Sequence, residues 1–106
     1  MQMERLSLEA DLLRVLGHPA RLQIVEILAR SETCVCDLIP QVGLEQSNLS
    51  QHLKLLRKHG VVDARREGTR VIYRLANGTI PALIAAASKA VQEHLDRVSA
   101  MAASRR

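Results

Sequence analysis

The chain has 106 residues, which bounds it to one compact domain, residues 1–106, with a modest core. Hydrophobic residues make up 47% and charged residues 25%, the balance of a folded globular protein, and the lack of Phe and Trp leaves the core to Leu, Ile, Val and Ala. The net charge of +4 is concentrated, because Gln46 to Arg74 carry seven Lys or Arg against two acids, as expected for a surface that meets phosphates. No stretch approaches the apolar length of a membrane span, and Met1-Gln2-Met3-Glu4-Arg5 lacks the apolar region of a signal peptide; a cytoplasmic protein without membrane contact is expected. Cys34 and Cys36 are too close in sequence to staple distant parts of a fold, so reduced thiols are the expected state.

In chain order, Leu6, Leu8, Leu12, Leu13 and Leu16 predict an apolar first helix ending near Gly17. His18-Pro19 opens a second, with Leu22, Val25 and Leu28 at helical spacing and an end near Arg30. A third helix is predicted over roughly Cys36 to Val42, ended by Gly43 in a left-handed conformation. The fourth runs from about Gln46 to His59 and is stopped by Gly60. Val61 to Arg66 and Arg70 to Leu75 form β-branched runs around Glu67-Gly68-Thr69, a hairpin pattern. A last helix follows Asn77-Gly78-Thr79, and Ala102 to Arg106 is expected to fray. The fold class is therefore mainly α with a β-hairpin wing: a winged helix-turn-helix with an added helix at each end.

The fourth helix divides into two faces. Leu49, Leu53 and Leu56 share one side, and Ser47, Ser50, Gln51, Lys54 and Lys58 fall on the other. Serine and glutamine can hydrogen-bond base edges in a major groove, and the lysines can reach phosphates. A surface helix of any bundle can show this division. The order of elements is what favours double-stranded DNA: a short helix, a glycine turn, this helix, then a hairpin whose Arg65, Arg66 and Arg70 can track the backbone or enter a minor groove. Single-stranded RNA is disfavoured because Tyr73 is the only aromatic available for base stacking.

Gly17-His18-Pro19-Ala20-Arg21-Leu22, Thr33-Cys34-Val35-Cys36-Asp37-Leu38 and Gln46-Ser47-Asn48-Leu49-Ser50-Gln51-His52-Leu53 together resemble the ArsR/SmtB family of metal-sensing winged-helix repressors, over nearly the whole chain. The resemblance implies a dimeric repressor, not an enzyme, that leaves DNA when an inducer binds, with Gln46, Ser47, Ser50 and Gln51 at the positions that touch DNA. Glu45 departs from the serine common there in relatives; its charge suits a helix N-terminus but not a neighbouring phosphate. The Cys-Val-Cys-Asp-Leu run is similar to arsenite and antimonite sensors, which implies As(III) or Sb(III) as inducer at Cys34 and Cys36. Those sensors have a third cysteine where this chain has Ile39, which leaves the third ligand open. The zinc-binding pairs of another branch are absent: His94 is followed by Arg97, no Asp-x-His precedes it, and His18, His52 and His59 have no close ligand spacing.

Residues i and i+2 of a helix point to nearly opposite sides, whereas in extended backbone they share one. With Cys34 in an extended lead-in and Cys36 in the first turn, capture of both sulfurs by one soft ion is expected to unwind that turn and misplace Ser50 and Gln51. Two other readings of the pair are another soft metal ion and a thiol-redox switch, and the plain alternative is two small buried residues. Ile80, Leu83, Ile84, Ala87, Val91, Leu95 and Val98 form a stripe that pairing in a homodimer would bury, unless it packs against the first helix. A two-fold dimer predicts a pseudo-palindromic operator with half-sites about one or two helical turns apart. Outside this class stand a winged-helix protein-interaction module without DNA binding and a thiol enzyme; the second lacks a base-and-orienter pair.

Overall fold

The computed structural model describes residues 2–105. In it α1 (Gln2–Leu16), α2 (Pro19–Arg30), β1 (Thr33–Cys34), α3 (Val35–Val42), α4 (Gln46–Lys58), β2 (Val62–Glu67), β3 (Arg70–Leu75) and α5 (Ile80–Ser104) follow in order. Local chemistry sets most boundaries. His18 caps α2, its Nδ1 accepting from the Ala20 N–H at 3.1 Å, and Pro19 fills the first helical position, where its missing N–H has no partner to lose. Gly43 ends α3 at φ 74°, a left-handed conformation that an L side chain resists. In the hairpin Gly68 has φ 62° and Thr69 is not positive, which is the glycine-first pattern of a type II′ turn.

The sheet differs from the sequence expectation. It has three strands in the order β1-β3-β2, not two, because Thr33 and Cys34 pair antiparallel with Tyr73 and Ile72. Two residues are too few to carry a periodic pattern, so β1 exists only because β3 offers it an edge. α3 begins at Val35, one residue before the expected start. At the C-terminus the expected fraying of Ala102 to Arg106 is not found for Ala102 to Ser104, which continue α5; alanine is the strongest helix former and no glycine interrupts it. Arg106 lies outside the described residues.

Val15, Ile24, Leu38, Leu49, Leu53, Leu56, Val61 and Val62 are nearly inaccessible and form one core beneath α4 and the sheet. α5 joins it only through buried Ile80 and half-buried Leu83 and Ile84, packed towards α2 and not along α1. From Ala85 onward every described residue of α5 is exposed. The radius of gyration is accordingly 16.9 Å, where a compact chain of this length has about 13 Å.

Candidate nucleic-acid interface and thiol site

Buried Leu49, Leu53 and Leu56 fix the rotation of α4, and this turns Gln46, Ser47, Ser50, Gln51, Lys54 and Lys58 out to solvent. Glu45 sits at the N-cap without a side-chain hydrogen bond, so the first-turn amides of α4 have no side-chain partner there. Lys54, Arg57 and Lys58 make no ion pair among the described residues.

Three wing arginines expected to act alike are in different situations. Arg65 Nη1 bonds Glu32 Oε1 at 2.6 Å and its Nε donates to Glu67 Oε1 at 3.1 Å, and these bonds, Glu32's first, raise the guanidinium pKa. Arg70 Nη2 lies 4.0 Å from Asp37 Oδ2. Arg66 makes no ion pair among the described residues.

Cys34 is buried, in extended backbone (φ −74°, ψ 155°) at the N-cap of α3, and Cys36 is exposed in the first turn of the helix. Their Cα atoms are 5.3 Å apart and the sulfurs are joined in a disulfide, in contrast to the expected free thiols. Extended backbone at Cys34 turns its side chain back over the first turn, so the sulfurs meet with α3 intact. The expected unwinding on joint capture is therefore not required by geometry. Cys34 Sγ also accepts from the Asp37 N–H at 3.3 Å, filling the role a serine or threonine N-cap usually has. Asp37, three residues after the cap, thereby comes close: a sulfur of each cysteine and a carboxylate oxygen of Asp37 lie within 4.8 Å of one another. The Cys-x-x-Asp spacing, which copies a capping box, is the sequence signal that points to this third donor. Pro40 lies inside α3 and has no N–H to offer the Cys36 carbonyl, so the helix is weakened one turn beyond the cysteines.

A second cluster ties α2 to α4. Arg21 Nη1 donates to the Val15 carbonyl at 2.9 Å and its Nε donates to His52 Nδ1 at 3.2 Å, while the His18 and His52 rings lie 4.6 Å apart. Burial lowers the His52 pKa, and the His18 and Arg21 charges push it the same way. The spacing of His18, Arg21 and His52 gives no hint of this contact, which depends on how two helices cross.

A three-helix core with a basic helix exposed on it and a basic hairpin beside it defines a winged helix-turn-helix DNA-binding protein. Residues 18–64 match the bacterial regulatory protein, arsR family. The HTH-type transcriptional regulator Rv0081 of Mycobacterium tuberculosis is 44% identical over 97 residues, covering 90% of this chain and 85% of that protein. Its crystal structure superposes with a TM-score of 0.81 at 46% identity, over 87% of this chain and 94% of that one. The biofilm growth-associated repressor of Agrobacterium fabrum is 44% identical over 85 residues, 79% of this chain and 73% of that protein. A homodimeric winged helix-turn-helix DNA-binding domain from Mycobacterium bovis has a TM-score of 0.81 at 33% identity, covering 91% of this chain and 89% of that one. The chain belongs to the arsR family, and is a transcriptional regulator and not an enzyme. No helix among the described residues is long and apolar enough to cross a membrane.

Proposed function

We propose that the chain acts as a homodimeric repressor that leaves a pseudo-palindromic operator when a thiophilic species, As(III) or Sb(III), engages Cys34 and Cys36. The observation that carries the reading is the meeting of two sulfurs and the Asp37 carboxylate within 4.8 Å, at the residue where β1 joins the wing and α3 begins. Soft sulfur donors select soft ions, and the carboxylate offers the third ligand that Ile39 does not. Arsenous acid would condense with the two reduced thiols with loss of two waters. Engagement of Cys34 Sγ withdraws the cap from the Asp37 N–H in a helix already weakened at Pro40, and α3 packs against the core that orients α4.

Dimerisation is supported by the surface left uncovered. Leu6, Leu8 and Leu13 of α1 and Val91, Leu95, Val98 and Met101 of α5 are each half or more exposed, an area of apolar side chain that a lone domain does not leave in water. The homodimeric relative from Mycobacterium bovis supports the same assembly. The joined sulfurs favour a second reading, in which oxidation of the dithiol to the disulfide is itself the signal.

The test is release of duplex upstream DNA, followed by fluorescence anisotropy in reducing buffer. As(III) is expected to release the wild type, whereas Cys34→Ser and Cys36→Ser bind DNA and stay bound. If the double serine variant responds like the wild type, the site is elsewhere. Release by a mild oxidant and not by As(III) replaces the metalloid reading with the redox one. A wild type without salt-dependent duplex affinity leaves the protein-interaction module.

A further inference from the structure

The wing carries four arginines, and among the described residues Arg65, Arg70 and Arg74 are paired with acids while Arg66 is not. Arg74 and Arg65 find Asp63 and Glu67 within the hairpin itself. The other two partners come from outside it. Glu32 immediately precedes β1, and Asp37 lies in the first turn of α3, so the acids flank the segment that pairs with β3. The pairing of Thr33 with Tyr73 and Cys34 with Ile72 is what carries both carboxylates to the wing.

We propose that Glu32 and Asp37 are internal counter-ions that occupy Arg65 and Arg70 until a DNA phosphate displaces them, so that the unbound wing restrains its own cations. The inference rests on the duplex-binding reading of the wing. A carboxylate and a phosphate present the same kind of oxygen acceptor to a guanidinium, and one fork cannot fully serve both. Fold stability does not account for the pairs: the side chains of Arg65, Glu32, Arg70 and Asp37 are 46%, 45%, 56% and 65% exposed, and ion pairs in such positions add little to folding. Strand alternation supplies the contrast. Arg65 and Glu67 share one face of β2, and Arg66 between them points to the other, away from these acids. The wing thus offers one unpaired cation, Arg66, two held by acids from outside the hairpin, Arg65 and Arg70, and one, Arg74, held by an acid within it. A freed carboxylate also takes up a cation as the phosphate gives one up, which flattens the salt dependence of binding. Loose, sequence-independent association, which depends on such charges, is the mode most weakened.

The experiment measures affinity of the reduced full chain for a labelled random-sequence duplex across a salt series. Glu32→Gln and Asp37→Asn are each expected to tighten binding about two- to fivefold at low salt and to steepen the salt slope. Glu93→Gln, on α5 and without an ion pair among the described residues, is the control for net charge and is expected to leave affinity within error. In an Arg65→Ala background the gain from Glu32→Gln disappears, and in Arg70→Ala the gain from Asp37→Asn does. Weaker binding by the Gln and Asn variants overturns the proposal, because the acids then hold the arginines ready instead of holding them back. A gain that survives loss of the arginine also overturns it, reducing the effect to net charge. A wild type that binds no duplex removes the DNA reading itself, a failure visible before any acid is changed.

Discussion

Helix α4 and the wing are both basic and both exposed, yet they hold their charges differently. The lysines and Arg57 of α4 have no acid partner among the described residues, because the opposite side of that helix is filled by Leu49, Leu53 and Leu56. On the wing three of four arginines are paired, two of them with acids brought by β1 and α3. A helix packed on a core keeps its outer face clear, whereas a thin hairpin is within reach of whatever lies beside its edge strand. The outer face of α4 is thus already free, whereas the wing arginines other than Arg66 are held by acids.

The largest effect expected is loss of the second reader. Val91→Asp with Leu95→Asp changes only exposed positions of α5, and is expected to give a folded monomer by equilibrium sedimentation. Its operator affinity should fall by about a hundredfold or more, since linked binding sites gain that much from each other. A variant that stays dimeric moves the interface away from α5.

Between the two regions the contrast is sharpest with single substitutions. Gln51→Ala is expected to cost about 1–3 kcal/mol on cognate operator and little on random duplex, as for a base contact. Arg66→Ala should weaken both alike and lower the salt slope by about one, with Arg65→Ala doing less because Glu32 and Glu67 already hold that side chain. Equal losses on cognate and random DNA for Gln51→Ala remove it as a base reader.

The smallest effect concerns the joint beneath α4. Burial, with the His18 and Arg21 charges, sets the His52 pKa below its usual 6.5, and no carboxylate is among the charges acting on it. As pH falls, the unfolded chain takes up this proton before the folded one does. Stability is therefore full above pH 6.5 and declines from there down to the lowered folded value. Protonation also removes the acceptor for Arg21 Nε. Urea unfolding at neutral and mildly acidic pH should show a larger loss for the wild type than for His52→Gln. Equal losses in the two would place the pH response elsewhere.

Periodicity and glycine positions made the helices and the hairpin legible because they are local: the side chain buried at Leu53 is announced by Leu49 and Leu56, and the turn at Gly68 by its flanking runs. Even the extended lead-in at Cys34 follows from its place just before a helix. The Gln46-Ser47-Asn48-Leu49-Ser50-Gln51 run and its family resemblance likewise rest on adjacent residues. Other features were not legible because they join segments far apart in the chain. β1 exists by pairing with β3 some forty residues on, Glu32 reaches Arg65 through that pairing, and Arg21 meets His52 only where α2 and α4 cross.

By itself the sequence determined the helices and the hairpin, the polar face of α4, the pairing of a thiol motif with a DNA-binding fold and the stripe on α5, since each is written in nearby residue types. Only the tertiary structure decided which cations are free and that Glu32 and Asp37 reach the wing, whereas the meeting of Cys34, Cys36 and Asp37 is local to the start of α3. Charge pairs depend on distance in space, and the pattern of a single strand or helix carries no record of what the next element brings to its edge.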